Sequence, residues 1–151
     1  MKVDPYLNFG DRTEEAFNFY KSVFGGEFTA FQRFKDALGE FPEGDKEKIM
    51  HVSLPLGANT LMGSDMPETM MKDFVVGSNI SLSVQVNSKE QAIEVFDKLA
   101  SGGKITMPLA DQFWGSYFGM LTDKYGVKWM VSYEYPKKVI GNEQLGFTGR
   151  S

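Results

Sequence analysis

The chain has 151 residues, a length that fits one ordinary domain or two very small ones, and its 42% hydrophobic content is enough to bury a core, which excludes a disordered chain. Lys plus Arg number 16 and Asp plus Glu 20, so the net charge is −4, the opposite of the balance a phosphate-backbone binder shows, and nucleic acid is not an expected partner. The absence of Cys excludes disulfides, thiolate metal ligands and a cysteine nucleophile, and no stretch approaches the roughly 18 unbroken apolar residues of a membrane span.

The start, Met1-Lys2-Val3-Asp4-Pro5, lacks the apolar run of a signal peptide, so the expected location is the cytoplasm, with no membrane partner. Val3 to Phe9 reads as a strand with Asp4, Tyr6 and Asn8 on one face and Pro5, Leu7 and Phe9 on the other. Asp11-Arg12-Thr13-Glu14 then predicts a helix cap, followed by Ala16, Phe17, Phe19, Tyr20, Val23 and Phe24 at helical spacing and a stop at Gly25-Gly26. Strands are expected over Phe28 to Phe34, Ile49 to Leu54 and Thr60 to Ser64, with a polar loop from Lys35 to Lys48 between the first two. Met66 to Asp73 reads as a connecting loop.

The second half repeats the pattern. Asn79 to Val86 alternates Asn79, Ser81, Ser83 and Gln85 against Ile80, Leu82, Val84 and Val86. Asn87-Ser88-Lys89-Glu90 opens a helix carrying Ala92, Ile93, Val95, Phe96 and Leu99, which ends at Gly102-Gly103. Cap, apolar face and stop residues recur at an offset of 76 or 77, which reads as an internal duplication. Strands follow over Lys104 to Met107, Tyr117 to Thr122 and Val127 to Tyr133, each half thus being strand, helix and three strands. The expected fold class is α+β, with one domain over residues 1–135 built of two βαβββ repeats, about 1–66 and 78–135, and a C-terminal arm over 136–151.

If the apolar faces pack on the helices, the polar faces rich in Asn, Ser, Tyr and Gln converge on the other side of a curved sheet and line a semi-polar cavity. An exposed sheet or a subunit interface is the alternative. His51 is the one imidazole and shares a strand face with Ser53, so it is the best catalytic candidate, as a metal ligand, a general base or a hydrogen-bond donor to a bound anion, with a structural residue or polar pocket wall as the alternative. Trp114, Phe113 and Tyr117 cluster around Gly115 in an expected long connection, where they could close over a ligand or plug the sheet edge. Asp65 reads as a turn acid capping the Met-rich segment after it, and Trp129 as core.

The run Asn8-Phe9-Gly10-Asp11 leading into Ala16-Phe17-Asn18-Phe19-Tyr20-Lys21-Ser22-Val23-Phe24-Gly25, within this repeated pattern, resembles the vicinal oxygen chelate superfamily of glyoxalase I, bleomycin and fosfomycin resistance proteins and extradiol dioxygenases. Pro5-Tyr6-Leu7, Met50-His51-Val52, Leu61-Met62-Gly63-Ser64-Asp65, Phe113-Trp114-Gly115 and Asp123-Lys124-Tyr125-Gly126-Val127-Lys128-Trp129 are more narrowly similar to its PhnB-like branch. The resemblance implies two βαβββ modules forming cup-shaped mixed sheets with helices on the outer face, a homodimer, and a small-molecule site in the cup. Its metal-ligand positions fall on Asp4, His51, Asn79 and Met130. Thioether and neutral amide are poor donors to Zn²⁺, Ni²⁺ or Fe²⁺, and Met130 stands where the metal enzymes carry Glu.

The expected function is therefore binding of a small organic ligand without a catalytic metal or other cofactor, with Tyr6, Asn8, His51, Ser53, Asn79, Ser81, Trp114 and Met130 as ligand-binding walls. One alternative is a divalent-metal-dependent lyase, isomerase or dioxygenase using Asp4, His51 and Asn79. A protein-interaction module is another. A methyltransferase, a name some relatives carry, ranks low because Gly25-Gly26 and Gly102-Gly103 follow helices, whereas a cofactor loop precedes one.

Overall fold

The computed structural model describes residues 1–137, so most of the expected C-terminal arm, residues 138–151, lies outside the described residues. Among the described residues, two four-stranded mixed sheets and two α-helices make up the fold. In the first half, strand β1 (Tyr6–Asn8) leads to helix α1 (Thr13–Phe24) and strands β2 (Ala30–Arg33), β3 (Ile49–Leu56) and β4 (Asn59–Ser64). The second half contains β5 (Leu82–Gln85), α2 (Lys89–Ala100), β6 (Lys104–Asp111), β7 (Ser116–Thr122) and β8 (Lys128–Glu134). The sheet orders are β1-β4-β3-β2 and β5-β8-β7-β6, so the halves share one topology, in which the first strand runs parallel to the last and the others pair antiparallel. The helices are offset by 76 residues at both ends.

Each helix exists because one stripe of it is apolar and buried. Ala16, Phe17, Tyr20 and Val23 line α1, and Ala92, Val95, Phe96 and Leu99 line α2. Two glycines let the helices lie close on their sheets. A Cβ on Gly63 would stand 2.6 Å from Phe17, and one on Gly119 would stand 2.8 Å from Phe96.

The helix starts differ from expectation by one or two residues. Ser88, not Asn87, caps α2 by accepting from the Gln91 amide, while the Gln91 side chain accepts from the Asn87 amide. Asp11 does not cap α1. A turn through Gly10 precedes the helix, and the Thr13 amide donates instead to the buried Asp65 carboxylate at 2.9 Å. Asp65 also accepts from the Ile49 amide, so it ties β3 and β4 to the head of α1 and does not cap the segment that follows it.

Both leading strands are shorter than the alternation predicts. Leu82 is the first residue of β5 because its partner opposite is Trp129, near the start of β8, and Asn79 to Ser81 run past that partner. Asp4 precedes β1, where Pro5 has no amide to give. Strand β6 is longer than expected and carries Pro108 and two register shifts, features an edge strand tolerates. Consequently Phe113-Trp114-Gly115 is a tight hairpin tip and not a long connection, closed by Gln112 and Gly115 backbone bonds. The polar loop after β2 folds into short 3-10 turns, with buried Asp45 accepting from the Glu68 amide and pairing with Lys48.

The halves meet on the helix side. Tyr20 donates to Asp123 at 2.6 Å, Tyr125 packs on Phe9 and Phe19, and Phe24 packs on Trp129. Among the described residues no helix is long and apolar enough to cross a membrane.

Candidate functional site

Directly opposite residues of neighbouring strands point to the same face, so the registers sort every side chain. In the first sheet Val52, Leu54 and Leu61 are buried against α1. On the other face Tyr6, Met62, Ser53 and Ala30 form one row across the four strands. The next row sets Asn8 opposite Ser64 and His51 opposite Gln32.

These rows are joined by hydrogen bonds. Tyr6 Oη lies 2.9 Å from His51 Nδ1, and His51 Nε2 lies 2.7 Å from Ser53 Oγ. Ser64 Oγ donates to Asn8 at 3.1 Å. The imidazole thus bridges two hydroxyls, each of which can donate or accept, and the three side chains form one Tyr6–His51–Ser53 string. Both His51 nitrogens are occupied. Ser53 is buried, whereas Tyr6 is 46% exposed, so the phenol is the solvent-facing end of the string.

The second sheet turns a different face outward. Ser83, Met130, Met120 and Met107 form one row, and Gln85, Ser132, Phe118 and Ala110 the next. Trp114, 52% exposed at the hairpin tip, packs edge-on against Phe118 at 5.8 Å and against Phe113 at 5.1 Å. Tyr117, expected beside Trp114, lies on the opposite face against the core. Phe118 takes that place. Strict alternation from Tyr117 would have found it, once the strand was known to start at Ser116.

The remaining candidates lie apart from this string. Asp4 accepts from the Thr60 amide and from Asn59 and pairs with Lys2 at 3.3 Å, contacts that hold its carboxyl below the usual carboxylate range. Asn79 and Ser81 precede β5. Two clefts, of about 700 and 670 Å³, run along the seam between the halves. Tyr6 and Asn8 border the first and Ser81 the second, but His51, Ser53, Trp114 and Met130 border neither.

The positions that the family resemblance implies for metal ligands carry donors that are weak or already engaged. Asp4 is committed to the start of β4, His51 to Tyr6 and Ser53, and Met130 and Asn79 offer a thioether and an amide. Among the described residues no group of three or more His, Cys, Asp or Glu side chains could hold a metal ion.

The Asp123-to-Trp129 stretch is a structural knot. Asp123 is 3% exposed and accepts from the Tyr125 and Val127 amides, Trp129 Nε1 and Tyr20 Oη, while Gly126 turns the chain at φ 91°. Burial and the Asp123 charge push the Tyr20 phenol far up.

Two repeated modules whose first strands run parallel to their last define a glyoxalase/bleomycin resistance/dioxygenase fold. A protein of that superfamily from Burkholderia phytofirmans PsJN shares it at a TM-score of 0.56 and 17% identity, covering 87% of this chain and 98% of that one. Protein PA1353 from Pseudomonas aeruginosa is 38% identical with a TM-score of 0.78, covering 89% of this chain and 98% of its own. A PhnB protein from Bacillus cereus, described as a putative 3-demethylubiquinone-9 3-methyltransferase, is 32% identical with a TM-score of 0.71, covering 88% of this chain and 99% of its own. A family model described as 3-demethylubiquinone-9 3-methyltransferase matches residues 1–132, and the chain belongs to this family, a PhnB-like branch of the superfamily.

Proposed function

We propose that the protein is a cytoplasmic homodimer that binds a small organic ligand in a cup lined by the outward faces of its two kinds of sheet. The observation that carries this reading is the Tyr6–His51–Ser53 string, two short hydrogen bonds on a sheet face that ends in an exposed phenol. A merely solvated sheet has no need of interlocked polar side chains, whereas a binding wall gains from side chains held in place before the ligand arrives. Tyr6 and Asn8 contact the ligand, His51 and Ser53 orient Tyr6, and Trp114 and Met130 act from the other sheet. Among the described residues both faces are open, which supports a second copy as the element that encloses them.

Methyl transfer has less support. The methyl donor's cofactor site wants a free helix N-terminus after a strand, and the start of α1 is already taken by the Asp65 carboxylate.

A fragment library screened by ligand-observed NMR against the wild type and Tyr6→Phe tests the reading. Loss of the phenol hydrogen bond is expected to weaken the hits about five-fold. Hits that ignore both Tyr6→Phe and Trp114→Ala, or no hits at all, would sink it. Sedimentation equilibrium tests the dimer.

A further inference from the structure

The outward face of the second sheet changes character from one end to the other. Lys104, Thr122 and Lys128 stand opposite one another across β6, β7 and β8 and form its first row, with Met107, Met120 and Met130 in the next and Phe118 in the one after. Glu134 closes the far end of β8, about 20 Å from Lys128 at the usual rise of a strand. The face is cationic at one end, apolar in the middle and anionic at the other.

Among the described residues neither of these two lysines forms a salt bridge, whereas Arg33, Lys35, Lys48 and Lys98 pair with carboxylates and Lys89 and Lys124 lie over aromatic rings. Lys128 also borders the first cleft together with Asp4 and Asp73, but Asp4 is held by Lys2 and the Thr60 amide. Two strand spacings set the lysine backbones about 10 Å apart with the Thr122 hydroxyl between them. Their long stems let both ammonium groups converge on one anion over Thr122, which relieves the repulsion between them and gains a hydroxyl donor.

From that seat the outward side chains of β7 are Met120 and then Phe118, with Trp114 edge-on against Phe118 at 5.8 Å. Thr122 and Phe118 are about 13 Å apart along the strand, the reach of an extended aliphatic chain of medium length. Unbranched thioethers on either side adapt to such a chain. Glu134 repels an anion at the opposite end and so fixes the direction in which the chain lies.

We infer that this face binds an anionic amphiphile, a carboxylate or phosphate ester on an unbranched aliphatic chain, its head between Lys104 and Lys128 and its tail on Met120 and Phe118. This assignment names the ligand class of the cup proposed above and rests on that reading.

Isothermal titration of decanoate, decyl phosphate, their hexyl analogues and 1-decanol tests it, against the wild type and the double variant Lys104→Gln, Lys128→Gln. At least one decyl anion is expected to bind about tenfold or more tightly than 1-decanol, and the double variant to bring that anion down to the level of the alcohol while leaving the alcohol unchanged. The same anion is expected to bind about tenfold or more tightly than its hexyl analogue, whose tail stops short of Phe118, and to shift an emission that Trp114→Phe removes. Lys104 and Lys128 lie outside the buried core, so the double variant folds, which circular dichroism checks. Anions that bind no better than 1-decanol, or whose binding ignores the lysines, would overturn the charged head. Equal binding of the hexyl and decyl anions would overturn the place of the tail. If none of these probes binds, the assignment falls, and the fragment library then separates the cases: hits sensitive to Tyr6→Phe keep the cup, and their absence removes it too.

Discussion

Tyr20 on the first helix donates its hydroxyl to Asp123 of the second half at 2.6 Å, a bond that spans 103 residues of sequence and is wholly buried. It makes the two modules one unit. The Asp123 oxygen that accepts it also accepts from Trp129 Nε1 at 2.8 Å, while the other oxygen takes the two turn amides. The charge is desolvated but fully met, which is the condition under which a buried carboxylate stabilises a fold.

Removing one donor from that carboxylate is costly. Tyr20→Phe should lower unfolding stability by about 2 kcal/mol, and Asp123→Ala by about 3–5 kcal/mol, because the second leaves several buried donors without a partner. Urea titration followed by far-UV circular dichroism reads both. A Tyr20→Phe protein as stable as the wild type would show that the bond contributes nothing.

The same bond predicts an alkaline limit. The Tyr20 phenol is pushed up by burial first and by Asp123 second. A phenol whose folded pKa lies above its unfolded value near 10 contributes stability that is fully present below pH 10 and lost as pH rises above it. Between about pH 10 and 12 the wild type should lose stability by up to about 1.4 kcal/mol per pH unit more steeply than Tyr20→Phe. Parallel curves for the two proteins would refute the shift.

Asp65 holds the head of α1 and the start of β3 through the Thr13 and Ile49 amides. Asp65→Ala should cost about 2 kcal/mol, the loss of a cap plus a buried unsatisfied amide. Amide exchange should speed most at Thr13 and Ile49, and a uniform increase across the chain would argue against this local role.

The two tryptophans should be separable by light. Trp129 is 2% exposed and hydrogen-bonded to Asp123, while Trp114 is 52% exposed. Acrylamide should quench a red-shifted component that disappears in Trp114→Phe, leaving a blue, protected emission. Retention of the quenchable component in that variant would contradict the placement of Trp129 in the core.

Gly63 faces the ring of Phe17 and the Leu7 carbonyl at once, with no room for a methyl group. Gly63→Ala should therefore cost about 1–3 kcal/mol through forced displacement of α1 from its sheet. Thermal unfolding measures it, and an unchanged midpoint would mean the packing is looser than these distances.

Much of this protein was legible in the order of its residues. The helical stripes Ala16-Phe17-Tyr20-Val23 and Ala92-Val95-Phe96-Leu99 declare themselves by spacing, and the offset between them declares the repeat, because apolar periodicity is a local property that burial merely uses. Residue alternation likewise put Tyr6 and Asn8 on one face. Tertiary structure decided where the strands begin and which polar groups meet. Asn79 leaves the sheet because its parallel partner β8 starts only at Lys128, and Asp65 caps a helix 52 residues upstream of it. Asp4 could not be told from a neighbour of His51 until the register placed its carboxylate on Thr60, and only the fold brings Tyr6 and Ser53 onto the two nitrogens of His51. Hydrogen bonds between strands far apart in sequence depend on pairing register, which no local pattern encodes.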